Sequence, residues 1–372
     1  MLYLSVRSRI NFVQLARHSD QYCEHAMRLN FERYADLATM NRHLVEQHGS
    51  GHYVLALDAS WLPKSGKKTP GVGKYWSGTA QKALWGLEVC LLSVIDVDKR
   101  TAWHLDAVQT PGSEERKAKG INLVDHYAQV VDWQVDNCLA LSGYLAADAY
   151  FAKASFVERV RRAGLHLISL LRKNARLLYL YTGPKTGKQG RPRQFAGKVD
   201  LAKPDLAYFT LSHRDEQLVV YSAMVNCPFL KRNIKLAYTQ YLDADGQPTH
   251  YKLYFSTDLN LPAWVIVKYY GLRYQQEFLI RDAKGFTGLS DCQARSTNKI
   301  DTHLNLALSA VNAAKVEQNL NADKSFSIAD AKVLHHNKLL IDMFISILPK
   351  GNELDKNDPK VKQLYTFGCK AA

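Results

Sequence analysis

Residues 52–58 read HYVLALD, and residues 143–148 read GYLAAD. Each stretch is a short apolar run that closes with an aspartate. We predict strands at 52–58 and 139–147, with Asp58 and Asp148 at their carboxyl ends. Because functional sites in α/β sheets collect at the carboxyl ends of strands, these acids are the first candidates for chemistry. Either acid alone could equally be a helix cap or a turn residue.

The segments around these two strands alternate between strand and helix patterns. Apolar and β-branched runs predict strands, and capped amphipathic runs predict helices. The further strands are 84–95, 101–108 and 165–171, and the helices are 113–133 and 152–163. This order indicates an α/β fold. Residues 206–256 are dense in strand formers and predict a β-rich insertion rather than more of the alternation.

Positive charge is concentrated in two windows. The chain of 372 residues has 49 Lys and Arg against 35 Asp and Glu, a net charge of +14. Residues 151–200 carry a net +10, and residues 59–87 contain five lysines and no acid. A basic footprint on an otherwise near-neutral chain predicts a polyanion bound through its phosphates, in preference to a merely solubilising surface. The DNA-contacting candidates in these windows are Lys67, Lys68, Lys74, Arg172, Lys188, Arg191 and Arg193.

Other function classes are disfavoured by composition. No stretch approaches the ~18 consecutive apolar residues of a membrane helix, so we expect no membrane association. The six cysteines are never closer than 48 residues, which leaves no pair spaced for zinc or redox work. The first residues contain no apolar signal region, and we therefore expect a cytoplasmic protein.

A third acid lies in a predicted helix at 262–284. On an ideal helix Tyr270, Arg273, Glu277 and Lys284 share one face about 60° wide. A solvated stripe with ordinary ion pairs would explain the charges but would not need the tyrosine. Oxygen-only ligands of the Asp, Asp, Glu kind suit Mg²⁺ or Mn²⁺ rather than zinc. Two such ions could support phosphoryl transfer, with nearby cations holding the phosphates.

These residues resemble the bacterial insertion-sequence transposases of the DDE type. Tyr270, Arg273, Glu277 and Lys284 match the Y-x2-R-x3-E-x6-K signature of that group, and two strand-end acids precede them in the expected order. The resemblance implies an RNase H-like mixed-sheet core with a β-rich insertion and flanking helices. It implies that Asp58, Asp148 and Glu277 are catalytic and bind two Mg²⁺ or Mn²⁺ ions.

The same resemblance implies cut-and-paste DNA transposition, with end cleavage followed by strand transfer. Its partners would be the double-stranded terminal inverted repeats, the target DNA and a second protomer in a homodimeric synaptic complex. Tyr270, Arg273 and Lys284 would bind the backbone of the transposon end. The implied regions are a helical DNA-binding segment at 1–50, the first part of the core at 51–180, a basic arm and β insertion at 181–256, the last part of the core at 257–320, and a helical region at 321–372.

Two departures from the family pattern keep alternatives open. The segment before Asp58 is short for a family whose N-terminal helices read the terminal repeats, which allows a catalytically inactive DNA-binding remnant that acts as a repressor. Another RNase H-like nuclease is a further alternative, although it would lack the signature. The β insertion also has no tryptophan, where some relatives stack a flipped base. Tyr251 or Tyr254 could substitute, but a tyrosine in a strand is more often part of the core.

Overall fold

The structure is a computed structural model, and it describes residues 1–184, 192–319, 326–349 and 354–370. The strands in chain order are β1 Tyr53–Pro63, β2 Gly73–Ser77, β3 Lys82–Asp96, β4 Thr101–Gln109, β5 Tyr144–Ala147, β6 His166–Leu171, β7 Leu178–Leu180, β8 Phe195–Lys198, β9 Thr210–Arg214, β10 Leu218–Cys227, β11 Arg232–Leu242 and β12 Pro248–Ser256.

The helices lie before, between and after these strands. They are α1 Leu2–Ser5, α2 Phe12–Arg17, α3 Glu24–Asn30, α4 Leu37–His48, α5 Ser113–Ala118, α6 Leu123–Trp133, α7 Val135–Leu141, α8 Ala154–Arg162, α9 Ala263–Leu272, α10 Gln275–Phe286, α11 Thr297–Asn319, α12 Ile328–Ile347 and α13 Pro359–Tyr365. Short 3₁₀ helices follow Asp148, Asp205 and Cys227. No helix in the described ranges is both long and apolar enough to cross a membrane.

The described strands form one mixed sheet. Its main path runs β2-β3-β1-β5-β6-β12-β11-β10-β7-β8, with β4 beside β3 and β9 beside β10. β1, β5 and β6 run parallel to each other, whereas β1 and β3 are antiparallel. Buried apolar clusters cover both faces of the sheet. The predicted α/β class with an RNase H-like mixed-sheet core is confirmed.

The β-rich segment extends the core sheet instead of forming a separate layer. β12 pairs antiparallel with β6, so β9 to β12 continue the sheet on the side away from β1. The basic arm, predicted at the start of 181–256, is only partly irregular, because its strand β8 pairs with β7. Residues 185–191 of that arm lie outside the described residues.

Besides β1, which continues past Asp58, three predicted elements have different bounds in the structure. The helix predicted at 113–133 is split, because Gly120 with φ +63° closes α5 before α6 begins. Residues 139–141 of the strand predicted at 139–147 belong to helix α7, and only Tyr144–Ala147 is strand. A short apolar run fits either a buried helix end or a strand, which explains that error. The helix predicted at 262–284 is divided into α9 and α10.

Candidate active site

Asp58 and Asp148 are brought together by the parallel pairing of β1 and β5. The last paired residues are Leu57 and Ala147, so the two aspartates occupy the next position on each strand. Neighbouring strands are about 4.8 Å apart, which places the two backbones close together. The register of two buried strands therefore positions both acids.

The two aspartates have different local environments. Asp58 does not end its strand as predicted, because β1 continues to Pro63 in its pairing with β3. Asp148 does follow the end of β5, and its Oδ1 accepts a hydrogen bond of 2.8 Å from the Tyr150 amide as the cap of a 3₁₀ helix. Its carbonyl oxygen accepts a bond from Ser169 Oγ. Asp148 can cap this helix and still act as a ligand, because only Oδ1 accepts the capping hydrogen bond and Oδ2 does not.

Glu277 lies in the first turn of α10, across a break in the predicted helix. Arg273 and Tyr274 form a tight turn in which the Gln276 amide donates to the Arg273 carbonyl. The prediction of one continuous helix face is therefore wrong in detail. The signature side chains still point toward β1, because Arg273 reaches Asp58 and Lys284 reaches Ser60.

Arg273 connects the first and third acids. Its Nη1 donates to Asp58 Oδ2 at 3.2 Å, and its Nη2 lies 3.8 Å from Glu277 Oε1. The Arg273 side chain is 14% exposed and that of Glu277 is 62% exposed, so a mostly buried cation faces a mostly solvated carboxylate. Arg273 Nε is buried without a hydrogen-bond partner. The guanidinium thus retains a donor that it does not use in this arrangement.

The pKa of Asp58 is raised to about 6. Burial is the largest cause, the charge of Arg273 opposes it, and the negative charges of Asp148 and Glu277 raise the pKa further. The repulsion shows that the three carboxylates interact electrostatically. Bringing a positive charge among them would stabilise the ionised form of Asp58.

Lys284 and Tyr270 flank this group. Lys284 Nζ donates to Ser60 Oγ at 3.0 Å and to the Trp61 carbonyl at 2.9 Å, and burial lowers its pKa. The Tyr270 ring lies beside Arg273, with 5.6 Å from the guanidinium carbon to the ring centre. All four signature residues are consequently near the strand that carries Asp58.

Gln276 is a positioning residue that the sequence patterns did not single out. Its side chain is fully buried, and Nε2 donates to the Leu91 carbonyl and to Ser93 Oγ, both at 3.0 Å. These bonds fasten the first turn of α10 to β3. The residue next to Glu277 therefore sets where the third acid can reach.

Lys153 is a second residue that the search for candidates missed. It lies in the basic window of residues 151–200, but it is not among the DNA-contacting candidates predicted from the sequence. Its ammonium lies 3.6 Å from the centre of the Tyr150 ring, and its pKa is lowered by burial and by Arg172, while Asp148 opposes the shift. The predicted residue Arg172 is exposed just after β6. Lys153 therefore lies near Asp148, and Arg172 lies near Lys153.

The remaining basic candidates lie on both sides of the acids. Lys67, Lys68 and Lys74 are exposed on the loop after β1 and on β2, at the β2 edge of the sheet. Arg193 precedes β8 at the opposite edge, where its guanidinium lies 4.9 Å from the Tyr181 ring centre. The sheet order does not bring Arg193 to the acids. Lys188 and Arg191 lie outside the described residues.

The donor set can be tested for its fit to a divalent cation. Asp58, Asp148 and Glu277 offer only oxygen atoms, and their mutual repulsion favours a cation among them. Arg273 supplies part of that charge. Within the described residues, however, no group of three or more His, Cys, Asp or Glu side chains is arranged to hold a metal ion. The chemistry of the donors fits Mg²⁺ or Mn²⁺, but the three carboxylates are not assembled around a common point.

Comparison with known proteins gives one family. Residues 34–208 match the family described as DDE superfamily endonuclease, and the search of curated proteins found no match. The matched range includes Asp58 and Asp148, while Glu277 and the rest of the signature follow it in the chain. This match, over a segment that contains the β1, β3, β5 and β6 core, confirms the resemblance to the DDE transposase-type nucleases.

Proposed function

We propose that this chain is a metal-dependent DDE transposase that cuts the ends of a mobile DNA element and joins them to target DNA. In this proposal Asp58, Asp148 and Glu277 are the catalytic metal ligands. The observation that carries it is that two strand acids occupy neighbouring positions in register, while the third acid shares Arg273 with Asp58. The family match supports the nuclease part of the proposal.

The cations around the acids have a role that follows from their positions. Arg273 pairs with two of the carboxylates, Lys284 is bonded to Ser60 two residues after Asp58, and Lys153 lies near Asp148. In this proposal these cations hold the phosphates on either side of the cleaved bond. Arg273 is suited to this because a guanidinium can donate two parallel N–H bonds to one phosphate. Tyr270 packs against Arg273 and limits where the guanidinium can move.

The carboxylates would hold Mg²⁺ or Mn²⁺, which when bound lowers the pKa of water and stabilises charge on the attacking and leaving oxygens. Asp58 needs to be ionised for this role. At neutral pH a carboxyl with a pKa of about 6 is mostly ionised, so its raised pKa does not prevent it. Arg273 would have to exchange Asp58 for a phosphate when DNA and ion bind.

The two basic windows provide the wider DNA surface in this proposal. Lys67, Lys68 and Lys74 lie at one edge of the sheet, and Arg172 lies beyond β6 on the other side of the acids. We extend the proposal to Lys188, Arg191 and Arg193 as phosphate contacts of the basic arm. Because cut-and-paste transposition joins two ends, we also propose a homodimer in the synaptic complex, acting in the cytoplasm of a bacterial cell.

The test is a cleavage assay on DNA that carries the ends of the element, with Mg²⁺, with Mn²⁺ and with EDTA. We expect cleavage that requires the ion, and its loss in Glu277→Gln with DNA affinity changed less than twofold. Glu216→Gln alters an exposed acid in the turn between β9 and β10 and is the matched control. Wild-type cleavage by Glu277→Gln would contradict the assignment.

The catalytically inactive remnant remains a second candidate because the three carboxylates are not assembled in the described structure. It predicts that the wild-type chain binds end DNA with neither ion supporting cleavage. The same assay therefore separates the two candidates. Cleavage of branched DNA in preference to end DNA would instead favour another RNase H-like nuclease.

A further inference from the structure

Two tryptophans are exposed on the hairpin that β2 forms with the start of β3. On β2, Tyr75 and Ser77 are buried against the body of the protein, so Lys74 and Trp76 point outward. Trp85 on β3 pairs with Lys74 and lies on the same side. Trp76 is 60% exposed and Trp85 is 43% exposed, whereas Trp103 in the core is fully buried. The outer side of the hairpin thus carries two indoles, with Lys74 next to both of them.

The ring of Trp85 is held in place. Its indole N–H donates to the Gly66 carbonyl at 2.9 Å, which fixes the ring against the loop that carries Lys67 and Lys68. An indole with its only donor satisfied and much of its surface still exposed can contact a ligand through its face. A single exposed apolar side chain is common on protein surfaces and needs no explanation. Two neighbouring exposed indoles form a larger apolar patch, which is typical of a binding site.

The charge around the two rings identifies the class of ligand. The window of residues 59–87 contains five lysines and no acid, and Lys67, Lys68 and Lys74 within it are exposed. Aromatic faces among cations are the combination that binds single-stranded nucleic acid, with bases stacked on the rings and phosphates near the cations. In an intact duplex the base faces are covered by their neighbours, so an indole can stack only on unpaired bases.

The hairpin is at a defined distance from the acids. Asp58 pairs with Leu91 on β3, and Trp85 lies six residues further along that strand. At about 3.3 Å per residue, this is roughly 20 Å. A strand of duplex DNA rises 3.4 Å per nucleotide, so roughly six nucleotides of duplex between the acids and the hairpin span this distance.

The two tyrosines that could have offered a stacking face elsewhere are already engaged. Tyr254 is buried and its hydroxyl is bonded to that of Tyr241. The Tyr251 ring is stacked on Tyr238, with 5.3 Å between ring centres. The hairpin indoles present more open surface than either tyrosine.

We propose that Trp76, Trp85 and Lys74 form a binding surface for an unpaired DNA segment, about six nucleotides from the phosphate at the acids. The bases stack on the two indoles, and Lys74 contacts the backbone between them. This proposal rests on the proposed function in that DNA is the ligand. It does not depend on the carboxylates or on a metal ion.

The test measures fluorescence anisotropy of a labelled 20-nucleotide oligo(dT) and of a 20-base-pair blunt duplex, both in EDTA. We expect the double variant Trp76→Ala, Trp85→Ala to lose oligo(dT) affinity by on the order of tenfold per indole, with duplex affinity changed less than threefold. Trp76→Phe with Trp85→Phe should retain most of the affinity. Trp133→Ala, which removes an indole that is 61% exposed on another surface, is the matched control.

Unchanged oligo(dT) affinity in the double variant would overturn the proposal, as would an equal loss in Trp133→Ala or an equal loss for the duplex. A shift in oligomeric state of the double variant with unchanged oligo(dT) affinity would identify the surface as a protein interface instead. Should the double variant fail to fold, Trp76→Ala alone is expected to show a loss of several-fold, because this exposed residue is not needed for packing. Failure of metal-dependent cleavage would leave the EDTA result unaffected, so the two proposals fail separately.

Discussion

The strand-held acids and the helix-held acid are positioned in different ways. Asp58 and Asp148 occupy fixed positions because a one-residue slip of β1 against β5 would turn every buried side chain to the wrong face. Glu277 depends on the turn at Arg273 and on the hydrogen bonds of Gln276. The pair is therefore set by the core of the sheet, whereas the third acid is set by a few local contacts and can be moved more easily.

The largest expected effect is on cleavage, where both kinds of acid should matter equally. Asp148→Asn and Glu277→Gln should each lower the rate of end cleavage by about a thousandfold or more. When catalytic residues act together, the loss of one removes most of the rate enhancement of the whole group. Asp205→Asn is the matched control, since Asp205 caps a 3₁₀ helix in the same way as Asp148. A loss confined to Asp148→Asn would show that Glu277 is not part of the site.

The position of the strand-held acids can be tested at Gly86, where β3 packs closely against β1. A Cβ at this position would lie 2.3 Å from the Leu62 carbonyl and 2.5 Å from Trp61 Nε1, so Gly86→Ala forces β3 away from β1. We expect the free energy of unfolding to fall by about 3 kcal/mol, measured by urea denaturation. Gly78→Ala places its Cβ in open space and should change stability by only a few tenths of a kcal/mol. Equal stability of the two variants would contradict the close β1 and β3 packing.

The position of the helix-held acid can be tested at Gln276, which bonds the first turn of α10 to β3. Gln276→Ala removes the bonds to Leu91 and Ser93 and should lower the free energy of unfolding by about 2 kcal/mol. It should also lower the cleavage rate of the folded protein, because Glu277 loses its anchor. Gln275→Ala, one residue earlier, lacks these contacts and serves as the control. If Gln276→Ala were to cleave as well as the wild type, the anchor would have no part in placing Glu277.

The smallest effect is expected on metal affinity, through Arg273, which contacts both Asp58 on β1 and Glu277 on α10. Arg273→Gln removes a positive charge that competes with a metal ion for Asp58 and Glu277. Without DNA, we expect Mn²⁺ affinity to increase by about tenfold, since the Coulomb energy between charges a few ångströms apart exceeds 1 kcal/mol. Electron paramagnetic resonance of free Mn²⁺ measures the affinity. Arg281→Gln on the exposed side of α10 should leave it unchanged, and equal responses of the two variants would contradict competition at the site.

The same contrast explains what the sequence could predict. The apolar runs before Asp58 and Asp148 predicted both strands and the α/β class. A strand that is buried on both faces of a sheet has an almost continuous run of apolar residues, which is visible in the sequence. The spacing of the signature residues from Tyr270 to Lys284 indicated that Glu277 is the third acid. It could not reveal the break at Arg273 and Tyr274, since no proline marks it and both residues keep helical angles.

Other features depend on contacts between distant parts of the chain. The role of Gln276 requires Leu91, which is 185 residues away, and no local pattern encodes such a bond. The end predicted for β1 at Asp58 was wrong because an acid can lie within a strand when a cation from another element faces it. Lys153 was counted among the basic residues, but only folding shows that it lies near Asp148.

The central claim is that the strand-held acids and the helix-held acid bind a pair of divalent ions together when DNA is present. A crystal of the protein with end DNA, grown in Mn²⁺, tests it through the anomalous signal of the metal. We predict two Mn²⁺ peaks, each about 2.1 Å from carboxylate oxygens, whose ligands together include Asp58, Asp148 and Glu277, with Arg273 moved onto a phosphate. A peak bound by Asp58 and Asp148 alone, with Arg273 still paired to Glu277, would contradict the claim.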